Sequence, residues 1–158
     1  MVYTIPFPSI PTNSPLEVQR RLIHEHYGIT IIRGMVLEKA LWVLLMAIDN
    51  IYLKREDGLD VDIEAMLNKH RLWTFGRLLK EVSKKVQLPI DLQHSLTKAV
   101  EDRNYLVHHF ILEKSKLLKS LEGLASIDGE LRGYYVSFGE LNERCDEITI
   151  ALLKKRLK

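Results

Sequence analysis

The sequence predicts an all-α fold, an antiparallel helical bundle, and three observations predict it. Apolar residues recur at steps of three and four, the spacing that gathers them on one side of a helix. Alternating apolar and polar runs, the mark of a half-buried strand, are absent, as are fixed-period repeats and low-complexity tracts. Cap and breaker residues fall between the apolar stretches, notably Ser14-Pro15, Thr74, Leu88-Pro89 and Gly123.

Residues 1–13 carry three of the five prolines (Pro6, Pro8 and Pro11). Proline fixes φ and lacks an N–H, so this segment reads as an extended N-terminal arm, either loosely packed or laid on a partner subunit. Residues 14–158 read as a single helical domain. Ser14 caps the first helix, Pro15 suits its first turn and Glu17 completes a capping box. That helix extends to about Tyr27, and Gly28 interrupts or bends it. The second helix, about 29–54, is apolar almost all round (Ile31, Ile32, Met35, Val36 and Leu37 open it), which calls for burial on several sides in a core or at a subunit interface. Glu38 and Asp49 are its exceptions and need partners if buried.

The run Arg55-Glu56-Asp57-Gly58 ends the second helix, and Asp60 or Asp62 caps a short one through about Lys69. Thr74 caps another, with Phe75, Leu78, Leu79 and Val82 facing in, and Leu88-Pro89 stops it. A long helix is expected from about 90 to 121, ended near Gly123. A closing helix is expected over roughly 129–158, weakened in its first half by Gly129, Gly133 and Gly139 and striped by Leu141, Ile148, Leu152 and Leu153.

Composition narrows the function. The chain has 158 residues, 46% hydrophobic and 28% charged, enough for one domain with a real core. A net charge of +2 means that any nucleic-acid contact comes from a local cluster and not from a global field. The basic clusters Lys84-Lys85 and Lys154-Lys155-Arg156 either attract RNA or are solvated helix faces. The single cysteine, Cys145, excludes an intrachain disulfide, gives no support for a thiolate metal site and suits a reducing cytoplasm. His24, His26, His70 and His94 lack the i,i+4 pairing of a zinc site, so no metal is expected. The best apolar run, residues 40–48, is far short of the ~18 residues of a membrane span, and the N-terminus lacks the basic stretch and cleavage site of a signal peptide. No glycine-rich phosphate loop points to a nucleotide cofactor.

The chemistry concentrates in Glu101-Asp102-Arg103-Asn104-Tyr105-Leu106-Val107-His108-His109-Phe110. Positions 92, 96, 99, 103, 106 and 110 form a helical seam that reads Leu, Leu, Ala, Arg, Leu, Phe. Arg103 breaks it. A guanidinium keeps its proton, so it must be paired, hydrated or reach outward. One reading pairs it with Glu38 or Asp49 of the second helix in a structural dimer with no cleft; the other keeps it for an anionic ligand. Asn104 and His108 are four apart and share a face, and Glu101 joins that stripe. On a regular helix Arg103 lies about 140° around from His108, so the two meet only across a cleft between elements or between two copies.

Arg103-Asn104-Tyr105-Leu106-Val107-His108 resembles the R-x4-6-H motif of HEPN domains, with a polar residue directly after the arginine. The helical plan resembles theirs too, over about residues 15–155. The resemblance implies a homodimeric HEPN-like bundle acting as a metal-independent endoribonuclease, a toxin or defence effector, with both motifs facing one cleft, RNA as substrate, no cofactor and an antitoxin protein as a further partner. Some relatives are adenylylated by a nucleotidyltransferase antitoxin on a tyrosine two residues after the histidine. Phe110 stands there, which argues against that regulation. Other HEPN domains have lost catalysis and serve as binding or regulatory subunits, whereas Arg103, Asn104 and His108 are intact here.

Such chemistry assigns His108 to proton transfer, because an imidazole titrates near neutral pH, and Arg103 to the phosphorane, whose oxygens match a planar fork. Asn104 orients His108 or binds a phosphate oxygen. Around them, Glu38 is the candidate that holds Arg103, and Glu101 sets the His108 tautomer or is merely solvated. Tyr105 stacks on a base or packs, and His109 lies exposed beside the site.

Overall fold

The computed structural model describes residues 7–11, 13–52 and 73–156, and these are helical with no strand among them. The helices are α1 (Leu16–Tyr52), α2 (Phe75–Lys85), α3 (Ile90–Tyr105), the short α4 (Ile111–Lys114) and α5 (Leu121–Arg156). A π-helical turn, Leu106–Phe110, joins α3 to α4, and a 3-10 turn, Leu117–Lys119, precedes α5. The expected stop at 55–58 and the short helix through Lys69, with His70, lie outside the described residues.

The break expected at Gly28 does not occur. α1 runs through it for 37 residues. A Cβ at Gly28 would meet nothing within 4 Å, so the only penalty is the ~1 kcal/mol of glycine's poor helix propensity. Ile23, Leu37, Leu41, Leu44, Leu45 and Ile48 on the same helix are fully or almost fully buried, each contributing about 1.5–3 kcal/mol, and burial wins. All-round burial of the second half is also not found. Ile32, Met35, Val36 and Val43 stand 40–56% exposed and leave an apolar line uncovered among the described residues. At the start of α1, Glu17 takes the Arg20 guanidinium (2.7 Å).

The helix expected over 90–121 is cut short, and Gly123 starts the next helix instead of ending this one. Ser120 is extended, and its Oγ accepts from the Gly123 N–H at 3.1 Å, an N-terminal cap. A Cβ at 123 would lie 2.1 Å from the Leu117 carbonyl oxygen, so only glycine fits this tight reversal. α5 therefore begins at Leu121 and carries Gly129 and Gly133 in open space.

The chain forms two compact units. One comprises residues up to 35 together with 101–139. In it, α1 runs parallel to α5, with Thr30 Oγ1 donating to the Leu131 carbonyl (3.4 Å) and the Gly34 position against Phe138. The same stretch of α1 runs antiparallel to the end of α3 and the π turn, with Tyr27 at Leu106 and Gly34 at Arg103. Ile23, Leu106, Phe110, Leu124, Ile127, Leu131 and Phe138 fill the interior. In the described part of the arm, Phe7 packs on its own chain, against His26 and Tyr135 (ring centroids 4.4 and 5.1 Å) and under the Arg132 guanidinium.

The other unit comprises the described residues of 36–100 and 140–158. Thr74 caps α2 as expected, accepting from the Arg77 N–H, and Phe75, Leu78, Leu79 and Val82 are buried. α2 ends at Lys85, before Leu88-Pro89. Asp49 pairs with Lys85, and Asp91 with Arg144 at 2.7 Å.

Candidate functional site

The seam read from the sequence is present: Leu92, Leu96, Ala99, Leu106 and Phe110 are buried, and Arg103 is half-buried in their line. Gly34 is what admits it. A Cβ at 34 would stand 3.4 Å from Arg103 Cγ and 3.2 Å from Phe138 Cε2. The missing methyl leaves a notch in which the arginine's aliphatic stem lies, with the guanidinium Nε buried at its end. There Nη1 donates to Asn104 Oδ1 at 3.3 Å. Asn104, His108 and His109 are exposed.

His108 sits in the middle of the π turn, and this changes the angular relations. A π turn closes on i→i+5 bonds and advances roughly 80° per residue against ~100° in an α-helix. The separation of Arg103 and His108 therefore narrows from about 140° to about 90°, while Asn104 and His108 stay on one stripe. Glu101 moves the other way, from about 20° to about 70° off His108. It is exposed and makes no hydrogen bond to His108. Nor does His108 bond to Arg103 or Asn104; its ring lies edge-on to His109, centroids 6.2 Å apart.

Three tyrosines surround the turn. Tyr105, the residue before it, donates to Glu113 Oε2 (2.9 Å) beyond its far end. Burial, the Glu113 hydrogen bond and the carboxylates of Glu113 and Glu130 push its phenol up to about 12. Its ring stacks on His109 (6.4 Å) and meets Phe110 edge-on. Tyr134, also pushed up to about 12 by burial and then by Glu130, packs edge-on to Phe110 from α5. Tyr27 reaches the turn from α1 and donates to the Leu106 carbonyl at 2.7 Å.

Of the remaining candidates, Glu38 is half-buried on the part of α1 that belongs to the second unit. Asp49 is engaged by Lys85, and Lys84 by Glu81 (2.7 Å), so the Lys84-Lys85 pair is no open basic patch. Cys145 is buried and its thiol pushed up to about 12 by burial and Asp146, which suppresses the thiolate. No group of three potential metal ligands occurs among the described residues, and no helix there is long and apolar enough to cross a membrane.

Sequence reasoning passed over two features of the same unit. Arg33 is 7% exposed, its guanidinium lies over the Tyr135 ring at 5.3 Å, and its Nε is buried without a hydrogen-bond partner among the described residues. It fills the space where a Cβ on Gly139 would be, 2.7 Å from Nη2. His26 is fully buried beneath Phe7, with Nδ1 2.5 Å from Asp128 Oδ1. Arg33 carried a readable signal, a cation in an apolar run, the same rule break that singled out Arg103. No family model, curated protein or solved structure matches this chain.

Proposed function

We propose that this protein is a metal-independent endoribonuclease of HEPN type, a toxin or defence effector that works as a homodimer in the cytoplasm, held in check by an antitoxin protein. The observation that carries the reading is the exposed pair Asn104 and His108 beside an arginine whose stem lies in the Gly34 notch and whose Nη1 donates to Asn104. The uncovered apolar line on α1 supports association with a second copy.

In this scheme one His108 accepts the proton of an RNA 2′-hydroxyl, whose oxygen attacks the adjacent phosphorus. Arg103 stabilises the charge that builds on the phosphorane oxygens, as a planar donor pair aimed at equatorial oxygens can. The His108 of the second copy donates a proton to the departing 5′-oxygen as the P–O5′ bond breaks. The products are a 2′,3′-cyclic phosphate and a 5′-hydroxyl. Asn104, already bonded to Arg103, holds a phosphate oxygen or the imidazole.

Cleavage of a mixed RNA pool in excess chelator tests the proposal. The wild type is expected to cut, and His108→Ala and Arg103→Ala are each expected to lose at least about a hundredfold in rate. An inactive wild type, activity that requires added metal, or full activity in His108→Ala would refute it. The first of these outcomes would leave a HEPN-like binding or regulatory subunit.

A further inference from the structure

The turn that carries His108 is held at both ends by one residue of another helix. The Tyr27 hydroxyl donates to the carbonyl of Leu106, the first residue of the π turn, at 2.7 Å. Its ring stacks on Phe110, the last residue of the turn, with centroids 5.9 Å apart and planes 12° from parallel. In a regular α-helix the Leu106 carbonyl accepts the Phe110 N–H. A side chain that enters this ladder is a recognised cause of helix distortion, and single π turns gather at functional sites.

We infer that Tyr27 is a positioning residue for His108: its hydroxyl and ring hold residues 106–110 in the π conformation and so set the angle between His108 and Arg103. The catalytic meaning of this role rests on the ribonuclease reading, but its geometric content does not. Without the pin the turn relaxes to α, the ladder closes on Phe110, and His108 swings back to about 140° from Arg103. Burial raises the phenol's pKa, so the hydroxyl remains a donor throughout the neutral range. Phe110 serves the pin as well. The aromatic ring at that position is a stacking partner that fixes the far end of the turn, which gives the residue a use apart from any modification.

The test compares Tyr27→Phe, which keeps the ring and loses only the hydroxyl, with the wild type and with Tyr134→Phe, whose hydroxyl goes to Glu130 and not to the turn. Backbone amide resonances of residues 106–111 should shift in Tyr27→Phe and not in Tyr134→Phe. On RNA, kcat of Tyr27→Phe should fall on the order of 10–100-fold with KM changed less than about threefold, because a misplaced group costs rate more than binding. Unmoved amides would overturn the inference whatever the protein does to RNA, and so would moved amides with unchanged kcat. A wild type that cuts no RNA would refute the ribonuclease reading alone, and the amides would still decide the pin. A second measurement needs no variant. Through-hydrogen-bond coupling in the wild type should link the Leu106 carbonyl to the Ile111 amide; coupling to Phe110 instead would refute the π turn and the inference with it.

Discussion

Alanine at Gly28 and at Gly34 should have opposite effects, although both lie in the same helix. At Gly28 the added Cβ meets nothing within 4 Å, so only the helix propensity changes, worth about 1 kcal/mol in favour of alanine. At Gly34 the same gain applies, but the methyl would press on Phe138 Cε2 at 3.2 Å and Arg103 Cγ at 3.4 Å. Phe138 is fully buried and cannot retreat freely. Overpacking of this kind costs about 1–3 kcal/mol, so Gly34→Ala should be neutral to about 2 kcal/mol destabilising. Thermal unfolding should then raise Tm by roughly 2–4 °C in Gly28→Ala and leave it level or lower in Gly34→Ala. Gly34→Ala should also slow RNA cleavage by displacing the Arg103 stem, while Gly28→Ala should not. If Gly34→Ala stabilised as much as Gly28→Ala, the notch would not be filled and Arg103 would not be seated in it.

Gly123→Ala should be severe, since its Cβ would lie 2.1 Å from a backbone oxygen that has nowhere to go. A loss of about 3 kcal/mol in urea unfolding is expected, against a gain of about 1 kcal/mol for Gly129→Ala or Gly133→Ala in the open part of α5. In alkali, Tyr105 and Tyr134 should ionise near 12 and not near 10. Because folding raises these pKa values, the stability they supply is complete below about pH 10 and lost as pH climbs toward about 12. Ultraviolet titration of the phenols alongside circular dichroism would show it; phenols that all titrate near 10 in the folded protein would contradict the packing around the π turn.

The sequence conveyed the burial pattern well and the backbone irregularities poorly, for identifiable reasons. The seam through Leu92, Leu96, Ala99, Leu106 and Phe110 was legible because burial imposes a periodicity on residue type. Thr74 and Leu88-Pro89 were legible because caps and breakers act locally. Gly28 misled because propensity is a small term that a long buried face overrides. Gly123 misled because the same residue type suits both the end of one helix and the tight entry to the next. The π turn left no local mark. It depends on a hydroxyl 79 residues away, and an apolar seam tolerates one widened turn without a change in residue type. Likewise His26 reads as an ordinary histidine until the fold brings Asp128 to its ring from 102 residues away.

In the proposed reaction the RNA supplies its own nucleophile while His108 moves the protons. The direct measurement uses a short RNA with one cleavage site, with the 2′-hydroxyl at that site either present or replaced by 2′-O-methyl. Cleavage of the first in chelator is expected, ending in a 2′,3′-cyclic phosphate identified by mass, and none of the second. Cutting of the methylated strand, or products that carry a 5′-phosphate, would contradict it.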